Sequence, residues 1–312
     1  MKYTANRKYA ARLGLVTGIL LFGMGMFFPQ AEAIECGAIL AKGHHKLTKN
    51  VTCTVPDDPA ITLQGGAILD LNGYTVDCNN PPESEREGIV LEGRNAKVRN
   101  GIIINCYNGV VITGDGHHKV LQLIVENNTR EGIRVRSAYN QVIDTESRNN
   151  KRRGFNIDGD ENKLVNCLAE DNGRQGFIID GGSDNKIRNS AAFDNCRDGI
   201  EIDNEGYDNS LINNYVADNG NPVTCEASDE DYRPWFYAGI DITDGATENI
   251  VINNRTSGNL GCDEEGCNPD PPQERNLLDE NVDEDGNCDS MNRWSNNRVN
   301  GERAEPECVA AF

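Results

Sequence analysis

Residues 154–203, GFNIDGDENKLVNCLAEDNGRQGFIIDGGSDNKIRNSAAFDNCRDGIEID, contain the pattern that decides the fold. A glycine followed by alternating apolar residues occurs three times here, as Gly154-Phe-Asn-Ile, Gly176-Phe-Ile-Ile and Gly199-Ile-Glu-Ile. Alternation with a period of two predicts a short β-strand that buries one face. Its regular return predicts a repeat architecture.

The same strand motif recurs along most of the chain. Its glycines are Gly88, Gly109, Gly132, Gly154, Gly176, Gly199 and Gly239. Their spacings are 21, 23, 22, 22, 23 and 40 residues, and the last contains an insertion at 221–238. Two polar columns keep the same phase: Asn105, Asn128, Asn150, Asn172, Asn195, and Asn95, His118, Asn140, Asn162, Asn185, Asn209, Asn249.

These columns predict a solenoid of stacked coils. One coil cannot bury its apolar face alone, but a stack of coils forms a continuous core. We expect glycine and asparagine at the turns, because both tolerate left-handed backbone angles. We also expect the asparagines to hydrogen-bond from coil to coil. Leucine-rich and helical solenoids are disfavoured, because the leucine pattern and any 3.6-residue apolar stripe are missing.

The repeat resembles that of the right-handed parallel β-helix proteins of the pectin-lyase-like superfamily. The resemblance covers about residues 57–260, and residues 66–78 (GAILDLNGYTVDC) look like the first coil common in such proteins. It implies an all-β, single-stranded right-handed parallel β-helix with an N-terminal cap and an irregular, disulfide-rich C-terminal segment. It does not imply one function, because the superfamily contains lyases, hydrolases, epimerases and adhesins.

The N-terminal residues predict export. Residues 1–33 have a basic start, an apolar run and a small-x-small site at Ala31-Glu-Ala33, as a signal peptide does. We expect cleavage after Ala33, no membrane anchor in the mature chain, and a secreted, periplasmic or extracellular protein. Residues 34–56 then form the N-terminal cap.

The net charge of the chain excludes some classes of binding partner. Removal of residues 1–33 takes away four basic residues and one acidic residue, which leaves 26 basic, 49 acidic and a net charge of −23. Such a surface repels nucleic acid and anionic membranes. It also repels a polyanionic glycan, unless calcium or a local basic patch intervenes. We expect a monomer that binds a carbohydrate polymer.

The 11 cysteines predict disulfides in an oxidising compartment. Cys78 and Cys106 end the same motif one coil apart, within bonding distance for adjacent coils. Cys36 and Cys53 are expected to close the N-terminal cap. Five further cysteines would fix the insertion and the C-terminal segment: Cys225, Cys262, Cys267, Cys288 and Cys308. Cys167 and Cys196 are expected to be small core residues.

Residues 261–312 contain 14 acidic and four basic residues and break the repeat, which indicates an acidic C-terminal cap or tail. Alternate oxygen ligands in it suggest a Ca²⁺ loop: Asp283, Asp285, Asn287 and Asp289. Gly286 and Trp294 depart from that motif, so a solvated acidic loop is the favoured interpretation. No cofactor is established by the sequence, and Ca²⁺ is the one candidate.

The strand that follows each coil glycine carries the candidate site. Its second and fourth residues are expected to face solvent. They include candidate catalytic carboxylates and candidate substrate ligands: Asp158, Asp180 and Asp203 for the first group, and Arg134, Arg136, Glu201 and Asp241 for the second. The insertion adds Arg233, Trp235 and Tyr237, which would either stack on sugar rings or pack the insertion against the coils.

Three function classes remain open. A glycoside hydrolase would use Asp203 as general acid and Asp180 or Asp158 as base, because carboxylates one or two coils apart approximate the distances that hydrolysis requires. A non-catalytic module that binds glycan or calcium, or has a structural role, is the first alternative. A polysaccharide lyase or epimerase is the second, and it would need Arg134 and Arg136 to neutralise a uronate.

Overall fold

Sheet A is a parallel sheet that contains the strands following the seven coil glycines. The structure is a computed structural model that describes residues 33–54, 59–79, 84–220, 237–243, 245–261, 273–274, 276–281, 292–304 and 306–308. In these ranges sheet A has eleven strands. They are Ala38–Leu40, Ile61–Leu63, Ile89–Leu91, Val110–Ile112, Ile133–Val135, Phe155–Ile157, Phe177–Asp180, Ile200–Asp203, Ile240–Ile242, Leu277–Asp279 and Glu307–Cys308.

Two further parallel sheets complete each coil. Sheet B contains Gly43–Lys46, Ala67–Asp70, Gln141–Ile143, Lys163–Val165, Lys186–Arg188, Ser210–Ile212, Ile250–Ile252 and Arg293–Ser295. Sheet C contains Val51–Thr52, Thr75–Asp77, Glu146–Arg148, Leu168–Glu170, Ala191–Phe193, Tyr215–Ala217, Arg255–Ser257 and Arg298–Val299. Two long strands, Lys97–Ile104 and Lys119–Glu126, pass through both sheets and join them. The predicted right-handed parallel β-helix is confirmed.

The core is a set of columns along the stack. The strands pair in register, so Ile133, Phe155, Phe177, Ile200 and Ile240 lie above one another and are fully buried. The rings of Phe155 and Phe177 stack with centroids 4.6 Å apart. Each coil therefore buries its apolar residues against the coils above and below, as the repeat predicts.

The coil glycines are explained by crowding. In sheet A a Cβ on Gly154 would lie 2.6 Å from the carbonyl oxygen of Gly176 and 2.8 Å from the side-chain nitrogen of Asn172. None of the seven coil glycines has a positive φ, so the expectation of left-handed angles at these positions is wrong. Positive φ angles occur instead at corner residues such as Asn149 and Asp171, and each of these directly precedes a buried asparagine.

Buried asparagines hydrogen-bond along the stack, as predicted. We call the column Asn128, Asn150, Asn172, Asn195, Asn219, Asn259 and Asn276 the asparagine ladder, because each side-chain amide donates to the next asparagine oxygen at 2.7–2.9 Å. Asn105 is not a member. Cys106 occupies its register position, and the backbone N–H of Cys106 donates to Oδ1 of Asn128 at 2.9 Å. His118 lies in the second column, where its Nδ1 accepts from the N–H of Ala96.

Two predicted disulfides are confirmed and one cysteine differs from the prediction, whereas Cys225, Cys262, Cys267, Cys288 and the side chain of Cys308 lie outside the described residues. Cys36–Cys53 and Cys78–Cys106 are disulfides with Cα atoms 5.3 and 4.9 Å apart. Cys167 is a free, buried thiol, and burial raises its pKa to about 12. Cys196 is disulfide-bonded, so the expectation that it is a reduced core residue is wrong.

The parallel pairing includes strands from both end segments. Ala38–Leu40 pairs with Ile61–Leu63, and Leu277–Asp279 pairs with Ile240–Ile242. These strands belong to one compact unit, Ala33–Phe312. The described ranges contain no helix with the length and apolarity that crossing a bilayer requires. The predicted signal peptide at 1–33 lies outside the described residues except for Ala33.

Candidate functional site

The second position of four consecutive sheet A strands is buried, at Asn156, Ile178, Glu201 and Asp241, which the sequence analysis did not predict. Glu201 and Asp241 pair in register and are only 8% and 3% exposed. The expectation that they face open solvent is wrong. Their neighbours include Gln175 and Asp198, two residues that directly precede coil glycines. Gln175 donates its side-chain amide to Oε2 of Glu201 in the next coil.

Three buried carboxyl groups meet on this covered face. Asp198 precedes Gly199, Glu201 follows it on the strand Ile200–Asp203, and Asp241 lies on the next strand, Ile240–Ile242. One carboxyl oxygen from each of Asp198, Glu201 and Asp241 lies within 4.8 Å of the others. We call these three residues the acid cluster.

The hydrogen bonds of the acid cluster are incomplete. Asp198 Oδ1 accepts from the backbone N–H of Ala238 at 2.6 Å. Glu201 accepts from Gln175. Asp241 Oδ1 is buried and has no hydrogen-bond partner among the described residues. A buried acceptor without a donor is costly and favours a proton or a cation at the cluster.

The electrostatics of the acid cluster favour protonated carboxyl groups. Burial raises the pKa of Asp198 to about 7, against the opposing hydrogen bond from Ala238. Burial raises the pKa of Glu201 well above its ordinary value, and the nearby charges of Asp198 and Asp203 add to this. The pKa of Asp241 is raised in the same direction by burial and then by Asp198 and Glu280. At neutral pH the cluster therefore keeps acidic protons.

The predicted catalytic residue Asp203 lies at the more open rim of the acid cluster. It is half-buried, and its Oδ1 accepts from the hydroxyl of Thr243 at 2.7 Å and from the backbone N–H of Asn204 at 2.7 Å. These donors fix the orientation of its carboxylate. Asp180 pairs in register with Asp203, and its carboxylate is 3.6 Å from the guanidinium of Arg153.

The third predicted catalytic residue is engaged in an ion pair. Asp158 is 2.9 Å from the guanidinium of Arg134, with both side chains about one-fifth to one-quarter exposed. Arg136 is exposed on the same strand end. This part of sheet A therefore presents paired charge, in contrast to the acid cluster.

The remaining predicted ligands divide between buried and undescribed positions. Tyr237 is 7% exposed, and the guanidinium of Arg197 lies 5.7 Å from its ring centroid. Little of that ring is open to a ligand. Arg233 and Trp235 lie outside the described residues, as do the predicted Ca²⁺ ligands Asp283, Asp285, Asn287 and Asp289.

Sequence reasoning missed Asp198 and its column. The residues directly before the first six coil glycines are all polar: Glu87, Asn108, Glu131, Arg153, Gln175 and Asp198. Ala238 precedes the seventh, Gly239. Four of the six polar residues, Asn108, Glu131, Gln175 and Asp198, are buried. A polar column in phase with the glycines was visible in the sequence and could have identified a third layer of site residues.

The stacked coils define the class of this protein as a parallel β-helix with a polar face on sheet A. Residues 88–267 match a family described as the right handed beta helix region, and the chain belongs to that family. No curated protein matches the chain by sequence.

Solved structures share this architecture at low sequence identity. The Dettilon tailspike protein is 13% identical with a TM-score of 0.59, over 89% of this chain and 60% of that chain. A mutant of the periplasmic alginate epimerase AlgG is 13% identical with a TM-score of 0.51, over 88% of this chain and 69% of that chain. At such identity the likeness concerns the fold, and this chain spans less than two thirds of the tailspike's length.

Proposed function

We propose that this chain is an exported β-helix that binds a carbohydrate polymer along sheet A and hydrolyses its glycosidic bonds at the acid cluster. The observation that carries the proposal is the meeting of three buried carboxyl groups with raised pKa beside the more exposed Asp203. A glycosidase needs one carboxyl group that stays protonated and a second that acts as a base or nucleophile.

We assign the general-acid role to Glu201 and the base or nucleophile role to Asp203. The two residues lie on the same strand, two positions apart, so both side chains point outward from the core. Glu201 is the more buried of the two, and burial disfavours its ionised form. This assignment moves the general acid from Asp203, where the sequence analysis placed it, to the neighbouring carboxyl group.

The rest of sheet A supports binding of an extended chain. Its outward face carries half-buried carboxylates at the fourth position of three successive coils, Asp158, Asp180 and Asp203. A polymer that follows the stack could contact several coils at once. The net charge of the chain favours a neutral glycan over a polyuronate.

The test is a polysaccharide screen with two product assays. Reducing-end release reports hydrolysis, and ultraviolet absorbance of unsaturated uronates reports a lyase. With the substrate found, Glu201→Gln and Asp203→Asn should each lower the rate by at least about 100-fold. Glu205→Gln, an exposed carboxylate in the same coil, should leave it unchanged.

The outcomes of this screen separate the function classes. Hydrolysis that survives both substitutions contradicts the assignment of the acid cluster. Unsaturated products would support the lyase class, and binding without turnover would support a non-catalytic module.

A second candidate function is Ca²⁺ binding by the acid cluster, favoured by the unpartnered Oδ1 of Asp241. Ca²⁺ prefers carboxylate oxygens, and three carboxylates supply part of its six to eight ligands. In that case Ca²⁺ should raise the melting temperature of the wild type at pH 8 but not that of Asp241→Asn. Hydrolysis that continues in the presence of a chelator would instead favour the protonated cluster.

A further inference from the structure

A second polar concavity lies on sheet C, on a different side of the coil from the acid cluster. It is an open pocket of about 720 Å³ near the C-terminal end of the stack. Three arginines dominate its lining: Arg255, Arg298 and Arg303. We call it the arginine pocket. Its size lies within the range of about 300–1,000 Å³ that small ligands occupy.

The register of the strands brings the three arginines together. Arg255 pairs directly with Arg298 on the next parallel strand, and Arg298 pairs with Arg303 on the antiparallel strand Glu302–Arg303. All three side chains are exposed. Like charges directly opposite each other on neighbouring strands destabilise a sheet. The core does not require this arrangement.

The acidic character of the chain makes the arrangement more unusual. The sequence has 50 acidic and 30 basic residues. Yet none of the three arginines lies within 4.0 Å of a described carboxylate, whereas Arg99, Arg134 and Arg148 on other strands each form such a pair. Arg298 donates one bond, to the carbonyl of Gly301 at 2.8 Å. Most guanidinium donors in the pocket therefore have no partner among the residues that the structure describes, and they could bind a ligand.

The other lining groups suit a ligand that also carries hydroxyl groups. Tyr215 pairs in register with Arg255 and is 45% exposed, with Phe193 packed edge-on against its ring at 5.2 Å. The contact with Phe193 therefore fixes the ring of Tyr215 on one side, and the rest of the ring remains accessible to a ligand. Asn253 and Asn296 stand at left-handed corners in the lining and offer amide donors and acceptors.

We propose that the arginine pocket binds a multiply charged oxyanion group, a sulfate or phosphate ester carried by a sugar or another polyol. Three guanidinium forks match the oxygen geometry and charge of such a group better than those of a single carboxylate. This site is separate from the proposed hydrolytic site, and its existence does not depend on that function.

The test is calorimetric titration of the full chain with four probes. These are a sulfated monosaccharide, a sugar phosphate, inorganic phosphate and galacturonic acid as a monocarboxylate. We expect one of the two ester probes to bind more tightly than galacturonic acid, and the preferred ester identifies the source of the oxyanion. Arg298→Gln should weaken this binding at least tenfold, because a charged hydrogen bond contributes about 1.5–3 kcal/mol.

Matched variants keep the test decisive. Arg255→Gln should weaken binding as Arg298→Gln does, and circular dichroism checks that each variant is folded. Arg293→Gln changes an exposed arginine of the same terminal coil that does not line the pocket, so it should bind as the wild type does. Absence of ester binding, or equal weakening by Arg293→Gln, would overturn the proposal.

Discussion

The asparagine ladder and the acid cluster are both buried polar groups stacked from coil to coil, yet their energetics are opposite. In the ladder, each amide both donates and accepts, so Asn172 accepts from Asn150 and donates to Asn195 at 2.9 Å. In the acid cluster, ionised carboxylates only accept, and Asp241 Oδ1 has no partner among the described residues. Stacking therefore stabilises a side chain that carries both a donor and an acceptor, and it destabilises one that carries acceptors alone.

The arginine pocket is the reverse of the acid cluster, because guanidinium groups only donate. Arg255 and Arg298 cannot hydrogen-bond to each other in register, just as Glu201 and Asp241 cannot when both are ionised. Where side chains in register only donate or only accept hydrogen bonds, the stack therefore requires a proton, an ion or a ligand.

The largest loss of stability is expected when an amide of the asparagine ladder is replaced by a carboxylate. Asn172→Asp would place a carboxylate against two acceptors, the carbonyl of Ser147 and Oδ1 of Asn195. We expect a loss of about 4 kcal/mol in the free energy of unfolding at pH 8, measured by urea denaturation. Asn189→Asp is the control, because this exposed residue only accepts a bond, from Asn213. Equal stability of the two variants would contradict the comparison.

The next effect concerns the disulfide at the N-terminal end of the ladder. Cys106 occupies a ladder position and is bonded to Cys78, 28 residues away. Replacing both cysteines by alanine should lower the free energy of unfolding by about 3–4 kcal/mol, because the unfolded chain gains entropy. Cys167→Ser serves as control, since the next coil already has Ser190 at that position. A double variant as stable as this control would show that the covalent link adds nothing.

A smaller effect of opposite sign is expected in the acid cluster. The pKa of Asp198 is raised to about 7 in the folded state, so the folded state binds more protons than the unfolded state between about pH 4 and 7. The wild type should therefore lose stability as pH rises through this window. Asp198→Asn removes its share of the loss and keeps an acceptor for the N–H of Ala238. It should be more stable than the wild type by roughly 2–4 kcal/mol at pH 8 and equal near pH 3.

Thermal unfolding across this pH range measures the difference between Asp198→Asn and the wild type. Asp208→Asn, an exposed residue of a neighbouring corner, should follow the wild-type curve. A wild type whose stability increases from pH 4 to 8 without added metal would contradict the electrostatic account of the cluster.

The smallest expected effect is at the partly exposed pair on the same sheet. Arg134→Gln removes the ion pair with Asp158, and both side chains remain in contact with solvent. We expect less than about 1 kcal/mol of destabilisation, which should shrink further in high salt. A loss as large as that of Asn172→Asp would mean that charge pairing, and not the ladder, dominates the polar energetics of the stack.

The sequence predicted the fold well because its strongest signal is the period itself. Gly154, Gly176 and Gly199 return with their alternating strands, and the sheet A register follows these glycines. The physical reason assigned to them was wrong, because crowding against the next coil is invisible in one coil alone. The ladder was assigned one residue off at Asn105, since the interval between the ladder position and Gly109 is one residue shorter than in the later coils.

The candidate site was harder to predict, for a related reason. Alternation correctly directs Glu201 and Asp241 away from the core, but it does not show what covers them. Burial there depends on Asp198 and Gln175, which belong to the turns before their strands. Cys196 was assigned to the core because a sequence does not show which cysteines approach each other in space.

The free thiol of Cys167 has a consequence for oxidative maturation. Thiol–disulfide exchange requires a thiolate that can reach a sulfur atom, and a buried group with a pKa of about 12 supplies almost none. Once the coils have closed around Cys167, this thiol no longer attacks the disulfides Cys36–Cys53 and Cys78–Cys106. Before closure it is accessible, so fast assembly of the coils around residue 167 limits its exchange with other cysteines.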